Sequence, residues 1–363
     1  MIIVGFLSFV QLTLFFGHFI VYKTFVKFFQ ITHPQNLLYT RLVFLLLSIS
    51  FLVASALAYK FYGSFGRTAY ASAAVWLGTL YWLVWASLFA WILYFLLPHS
   101  ISLKLGQSLF ILALLVSAYG VWNSYQTKVK HITITIPNLP SEWQGKKAVL
   151  VSDTHLGNVR SLNFSKRIAE LVSAQNPDIV LVPGDFYDGP PANYEELAEP
   201  FGKIKSTYGV YFAAGNHEEF GDAGPLLSAI AKSGVKVLNN QIENVNGLQI
   251  IGVGYGATVN KTSEKSILDG LNINRDLPSI LLKHAPTNIE TAEAAGISLQ
   301  VSGHTHLGQV YPFRYLTKKI YGKFHYGASA LNNTQVVTTS GVGTWGPPQR
   351  VGTNSEIVVI TFR

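Results

Sequence analysis

Apolar and polar positions divide this chain into two regimes. Up to residue 123 the apolar residues run in four long blocks, at about 2–22, 42–59, 70–97 and 106–123. Each is near or above the ~18–20 residues a helix needs to cross a hydrocarbon core, so four transmembrane helices are expected. Beyond them the blocks shorten. His131-Ile132-Thr133-Ile134-Thr135-Ile136 alternates with a period of two and reads as a first strand, ended by Asn138-Leu139-Pro140. Further strands are expected near 147–152, 178–183, 208–213, 248–254, 278–283, 298–302, 334–339 and 356–362, with helices near 164–175, 193–204, 223–233 and 287–295. Strands and helices alternate early and strands dominate late, an α/β (α+β) pattern. The expected division is a transmembrane region at 1–125, a linker with the first strand at 126–146, and a folded domain at 147–363.

Charge sharpens this division. Residues 1–127 carry Lys23, Lys27, Arg41, Lys60, Arg67 and Lys104 and no acid; the first acid is Glu142. The formal net charge of +8 therefore comes mostly from the apolar third, and no basic run marks a nucleic-acid-binding face. Mean hydropathy is +0.29 with only 13% charged residues. Trp76, Tyr81, Trp82, Trp85, Trp91 and Tyr94 crowd the third block, and Tyr119, Trp122 and Tyr125 the end of the fourth, as aromatic residues do at a membrane interface. The first block is too long for a cleaved signal peptide, lacks a basic start, and is followed by three more. A multi-pass protein of the cell membrane, with the bilayer as partner, is expected. Orientation stays open, because four basic residues flank the blocks on either side. Gln11 and His18 fall in the first block, where polar side chains are either functional or satisfied at a helix interface. The chain has no cysteine, which excludes disulfides, thiolate metal sites and a cysteine nucleophile.

Five short clusters carry the candidate chemistry: Asp153-Thr154-His155, Gly184-Asp185, Gly215-Asn216-His217-Glu218, His284 and Gly303-His304-Thr305-His306. Each holds oxygen or imidazole donors, and most follow an apolar run expected to be a strand. Residues i and i+2 point the same way in extended chain, so Asp153 with His155, and His304 with His306, can reach one ion. Gly184 lets the backbone turn tightly, and the two oxygens of Asp185 can bridge two cations. Any one cluster is an ordinary turn. Five at successive strand ends suggest a two-metal hydrolase.

In this order, Asp-x-His, Gly-Asp, Gly-Asn-His-Glu, a lone His and Gly-His-x-His resemble the signature of the calcineurin-like metallophosphoesterase superfamily over about 150–310. Val151-Ser152-Asp153-Thr154-His155-Leu156-Gly157, His306-Leu307-Gly308-Gln309 and Gly343-Thr344-Trp345-Gly346-Pro347-Pro348 resemble its bacterial membrane-associated, multi-pass branch. The resemblance implies a β-sandwich flanked by helices, with the site on loops at its rim. One metal would take Asp153, His155, Asp185 and His306, the other Asp185, Asn216, His284 and His304. The all-N/O donor set suits two divalent ions of Mn, Fe or Zn. They would acidify a bridging water to a hydroxide nucleophile and clamp the phosphoryl oxygens. His217 would be the catalytic residue, standing over the site to protonate the leaving oxygen or stabilise charge. Asp188 and Glu218 are candidates to orient ligands, Arg350 to bind a substrate phosphate, and the Trp345 segment to pack as a rigid loop.

The function expected is membrane-anchored hydrolysis of a phosphate ester, a diester or pyrophosphate, on a phospholipid or lipid-linked substrate. Two alternatives remain: a tethered enzyme for soluble esters, and a non-catalytic membrane sensor with a phosphoesterase-like domain. The complete ligand set argues against the sensor. Segments 186–206, 255–277 and 311–335, where specificity would lie, carry no readable pattern.

Overall fold

The computed structural model describes residues 2–61, 63–189 and 192–363, in two units. Pro190 and Pro191, inside the 186–206 segment, lie outside the described residues.

The helical unit comprises α1 (Ile2–Phe28), α2 (Pro34–Lys60), α3 (Ser64–Leu96) and α4 (His99–Ser124). All four have the length and composition to cross a membrane. They run past the apolar blocks because their polar ends are also helical. Pro34 opens α2 at a position that needs no N–H donor. Leu97, held extended ahead of Pro98, separates α3 from α4. α3 buries small residues, among them Gly66, Ala73, Ala74, Gly78 and Ala90, which lets helices approach closely without a hydrophobic driving force. Large apolar side chains such as Leu46 and Phe95 face outward, as lipid contact requires. His18 is satisfied: Trp76 Nε1 donates to its Nε2 at 2.9 Å, and its Nδ1 lies 2.7 Å from the Leu14 carbonyl. Gln11 Nε2 donates to the Ser48 carbonyl. Both are interface residues of the helix packing. Gly346–Gln349 also belongs to this unit, with Gln349 Nε2 donating to Ser117 Oγ at 2.8 Å.

Among the described residues the second unit is built on twelve strands: β1 (Thr127–Ile134), β2 (Lys147–Leu150), β3 (Ile179–Pro183), β4 (Val210–Ala213), β5 (Lys236–Val237), β6 (Gln241–Val245), β7 (Leu248–Val253), β8 (Ser279–Lys283), β9 (Leu299–Ser302), β10 (Gly327–Leu331), β11 (Thr334–Thr338) and β12 (Ser355–Phe362). They form two six-stranded sheets, ordered β1-β12-β2-β3-β4-β5 and β10-β11-β9-β8-β7-β6. β2 to β5 are mutually parallel, as are β7, β8, β9 and β11.

Period-two alternation sorts the side chains into layers. Ala148, Leu150, Ile179, Leu181, Ile280, Leu282, Leu299 and Val301 form the core between the sheets. Val149, Val151, Val180 and Val182 point the other way, against the helices Leu162–Ser173, Tyr194–Gly202 and Ala223–Lys232. The helices Lys261–Gly270 and Ile289–Ala294 cover the outer face of the second sheet. Burial on both faces explains why these strands read as unbroken apolar runs. The first strand lies earlier than its alternation suggested, because Lys128 and Lys130 sit on an edge strand whose exposed face tolerates charge.

Candidate metal centre

Parallel strands deliver their C-terminal ends to one rim of the sandwich, where open α/β sheets gather ligands. Asp153 follows β2, Asp185 follows β3, Asn216 and His217 follow β4, His284 follows β8, and His304 and His306 follow β9. The backbone there is strained. Asp153, His155, Asp185, His304 and His306 have φ of 56°, 46°, 51°, 68° and 46°, the left-handed region that non-glycine residues seldom occupy. Such strain collects at functional sites where the surrounding structure enforces it.

The donors converge. Three groups, Asp153/His155/His306, His155/Asp185/His217 and Asp185/His284/His304, each hold donor atoms within 4.8 Å of one another. Asp185 Oδ2 is 3.1 Å from His284 Nε2 and 3.7 Å from His155 Nε2. His306 Nε2 is 3.4 Å from Asp153 Oδ1 and 3.1 Å from His155 Nε2. His304 Nδ1 and Asn216 Oδ1 are 3.0 Å apart. Every candidate ligand named from the sequence, and His217, is thus brought to one place.

Supporting contacts set which nitrogen faces inward. His284 Nδ1 lies 2.8 Å from the Pro183 carbonyl, so Nδ1–H donates there and Nε2 is the nitrogen that faces Asp185. His155 Nδ1 lies 3.4 Å from Asp188 Oδ1, so the carboxylate expected to orient a ligand stands beside one. Glu218 holds the loops: its carboxylate accepts from the backbone N–H groups of Asp185, Phe186, Tyr187 and Gly215. Behind His284, the buried Lys283 pairs with the buried Glu264.

Electrostatics follow from burial among these charges. Burial would raise the Asp185 carboxyl, but His284 and His155 outweigh it and hold it well below the usual carboxylate range. Burial, with Asp185 adding to it, raises Asp153. Burial opposes protonation of His284, yet Asp185 prevails and pushes it up to about 9. Burial and the His284 charge bring His304 down to about 3. Burial, with His155 and Arg350, lowers His306, so both imidazoles of the last cluster are kept neutral, the form that ligates.

One expectation fails. Arg350 is fully buried and cannot meet a substrate phosphate; its guanidinium donates to the carbonyls of His306, Ser340, Gly341 and Gly343. It packs the back of the site. The Trp345 segment does pack, with Gly343, Thr344, Pro348 and Gln349 buried, although the Trp345 side chain itself is 62% exposed. Conversely, Tyr255 and Tyr321 flank His304, with ring centroids 5.6 and 6.1 Å away. No motif marked either, because both lie in the segments without readable pattern.

The residues fit a metal. His284 Nε2 and Asp185 Oδ2 are both buried and face each other at 3.1 Å, a nitrogen and a carboxylate oxygen aimed into one enclosed space, as ligands of a shared ion are. The donors are imidazole nitrogens and carboxylate or amide oxygens, suited to divalent transition metals. A sequence model of the calcineurin-like phosphoesterases matches residues 146–308. An uncharacterized metallophosphoesterase of Campylobacter jejuni is 32% identical over 260 residues, 70% of this chain and 69% of that one. One from Helicobacter pylori (strain 26695) is 32% identical over 266 residues, 71% of this chain and 70% of its own. The chain belongs to the calcineurin-like metallophosphoesterase family. As a member it is a metal-dependent phosphoric ester hydrolase. It is also similar to a transmembrane protein with metallophosphoesterase domain from Danio rerio, at 31% identity over 280 residues, 70% of this chain and 62% of that one. With four apolar helices ahead of its phosphoesterase fold, this metallophosphoesterase is a membrane protein.

Proposed function

We propose that this metallophosphoesterase cleaves a phosphodiester or pyrophosphate on a lipid-linked substrate, with residues 1–125 as anchor and 147–363 as catalytic domain. Two divalent ions would be held by Asp153, His155, Asp185 and His306 on one side and by Asp185, Asn216, His284 and His304 on the other. The observation that carries this reading is the placing of one carboxylate, Asp185, beside both His155 and His284. When bound, such a pair supplies a water acidified to near neutrality and Lewis-acid stabilisation of the phosphoryl oxygens.

The chain's own groups do the rest. His217 Nδ1 lies 3.2 Å from the Asp188 carbonyl, so that nitrogen donates there and Nε2 remains to exchange a proton with the leaving oxygen. Burial, then the neighbouring His155, lowers the affinity of His217 for a proton, which makes its imidazolium a ready acid. Its backbone N–H also donates to Asp185 Oδ1 at 3.0 Å, fixing proton donor and shared carboxylate in one frame. Glu218 clamps the loops that carry both. Lipid linkage is supported by the anchor, which keeps the domain at a membrane.

The test is hydrolysis of a chromogenic phosphodiester and its monoester counterpart by detergent-purified protein, with Mn²⁺ or chelator. Metal-dependent cleavage favouring the diester is expected. Metal-loaded protein inert toward both, and toward phospholipids in mixed micelles, would reject the catalytic reading. Cleavage confined to soluble esters would favour an enzyme that is merely tethered.

A further inference from the structure

We propose that the helix Arg314–Tyr321 and the aromatic side chains around it form a docking face for an anionic lipid bilayer. This inference is independent of which ester is cut.

No acid occurs between Glu293 and Glu356, yet that stretch contains Arg314, Lys318, Lys319 and Lys323, all exposed. Within it, the helix Arg314–Tyr321 has no buried residue. Its inner side rests on Thr317, whose Oγ1 lies 3.3 Å from His325 Nδ1, and on Tyr321 beside His304. Its outer side carries Phe313, Leu316 and Ile320, which are 43%, 50% and 61% exposed. Their i, i+3, i+7 spacing lines them up as one apolar stripe. The basic side chains lie off that stripe, where long aliphatic stems reach headgroups while the apolar row enters the acyl boundary.

Aromatic residues with one wet end extend the face, as at membrane interfaces. Tyr311 and Tyr315 are exposed, with ring centroids 5.8 Å apart. Trp345 is exposed, and its backbone is held by reciprocal bonds with Gln309: the main-chain N–H donates to Gln309 Oε1 and the main-chain carbonyl accepts from Gln309 Nε2, both at 2.9 Å. An exposed apolar stripe rimmed by basic and aromatic residues marks an interaction surface. Its charge selects the occupant: four cations without an acid complement anionic headgroups. The membrane-spanning helices keep a bilayer at high effective concentration, so even a weak interfacial helix would engage it. Because Tyr321, the last residue of this helix, has its ring 6.1 Å from that of His304, docking would bring the metal site close to headgroup depth.

The chain has no cysteine, so single cysteines report cleanly. Full-length protein with Ile320→Cys, and separately Leu316→Cys, would carry an environment-sensitive fluorophore. Each would be reconstituted into phosphatidylcholine vesicles with or without phosphatidylglycerol. Lys261→Cys, at an exposed position of another helix, is the control. The expected result is a blue-shifted emission at 316 and 320, quenched severalfold more than at 261 by spin-labelled lipids when phosphatidylglycerol is present. In a Lys318→Glu/Lys319→Glu background the excess quenching should vanish while metal-dependent cleavage of a soluble ester is unchanged. Quenching at 316 and 320 equal to the control overturns the proposal, as does quenching that survives charge reversal. Labels that stay in water and become shielded only at high protein density would assign the face to a second copy instead.

Discussion

Lys283 Nζ lies 2.7 Å from Oε1 and 2.8 Å from Oε2 of Glu264, and both side chains are fully buried. Asn288 Nδ2 donates to the same carboxylate at 2.8 Å, and Lys283 also donates to the Thr287 carbonyl. The pair pins both ends of the short loop that begins with His284. Removing one partner of such a pair leaves an uncompensated charge in the interior. Lys283→Met should therefore destabilise the fold by about 3–5 kcal/mol. Lys283→Met with Glu264→Leu should recover much of that. Thermal unfolding of the purified proteins measures both, and a double variant no better than the single one would contradict the account.

His217 acts on the leaving group and is not a ligand in this account. His217→Ala should keep its metal content and lose turnover by about 10²–10⁴-fold, the range of general acid catalysis. Steady-state kinetics beside elemental analysis checks it. Unaltered turnover would remove the role.

Gly215 is required by closeness. A Cβ there would overlap Asp185 Oδ1 and approach the Asp185 backbone nitrogen. Gly215→Ala should displace the Asp185 carboxylate and lower kcat/KM by about 10²-fold, as an error of about 1 Å does at a reacting centre. Gly221→Ala, where a Cβ meets nothing within 4 Å, should behave as wild type in the same assay.

Cations that bind only the folded state stabilise it by mass action, by roughly 4 kcal/mol at a thousandfold excess over Kd. Chelation should lower the apparent melting temperature, and added Mn²⁺ should restore it. A melting curve indifferent to chelator would contradict a loaded site.

The early strands were legible because burial on both faces leaves no polar position to break the pattern, as in Ile179–Pro183. The candidate ligands were legible because parallel strands impose the same local order each time: an apolar run, a tight turn, then a donor. What was not legible depends on contacts distant in sequence. β5, β6 and β10 are short or half-exposed, so their faces lack contrast. The helix Lys261–Gly270 is mostly polar, and its one buried acid makes sense only beside Lys283. Arg350 was misread because a guanidinium that satisfies backbone carbonyls looks, in sequence, like one that binds a phosphate.

The central claim is that Asp185 is shared between two metal ions. Its most direct test is the metal content of purified wild-type protein and Asp185→Asn after identical loading with Mn²⁺ and removal of free ion. The account predicts two equivalents in the wild type and one or none in the variant, with hydrolysis lost. A variant that retains two equivalents would contradict it.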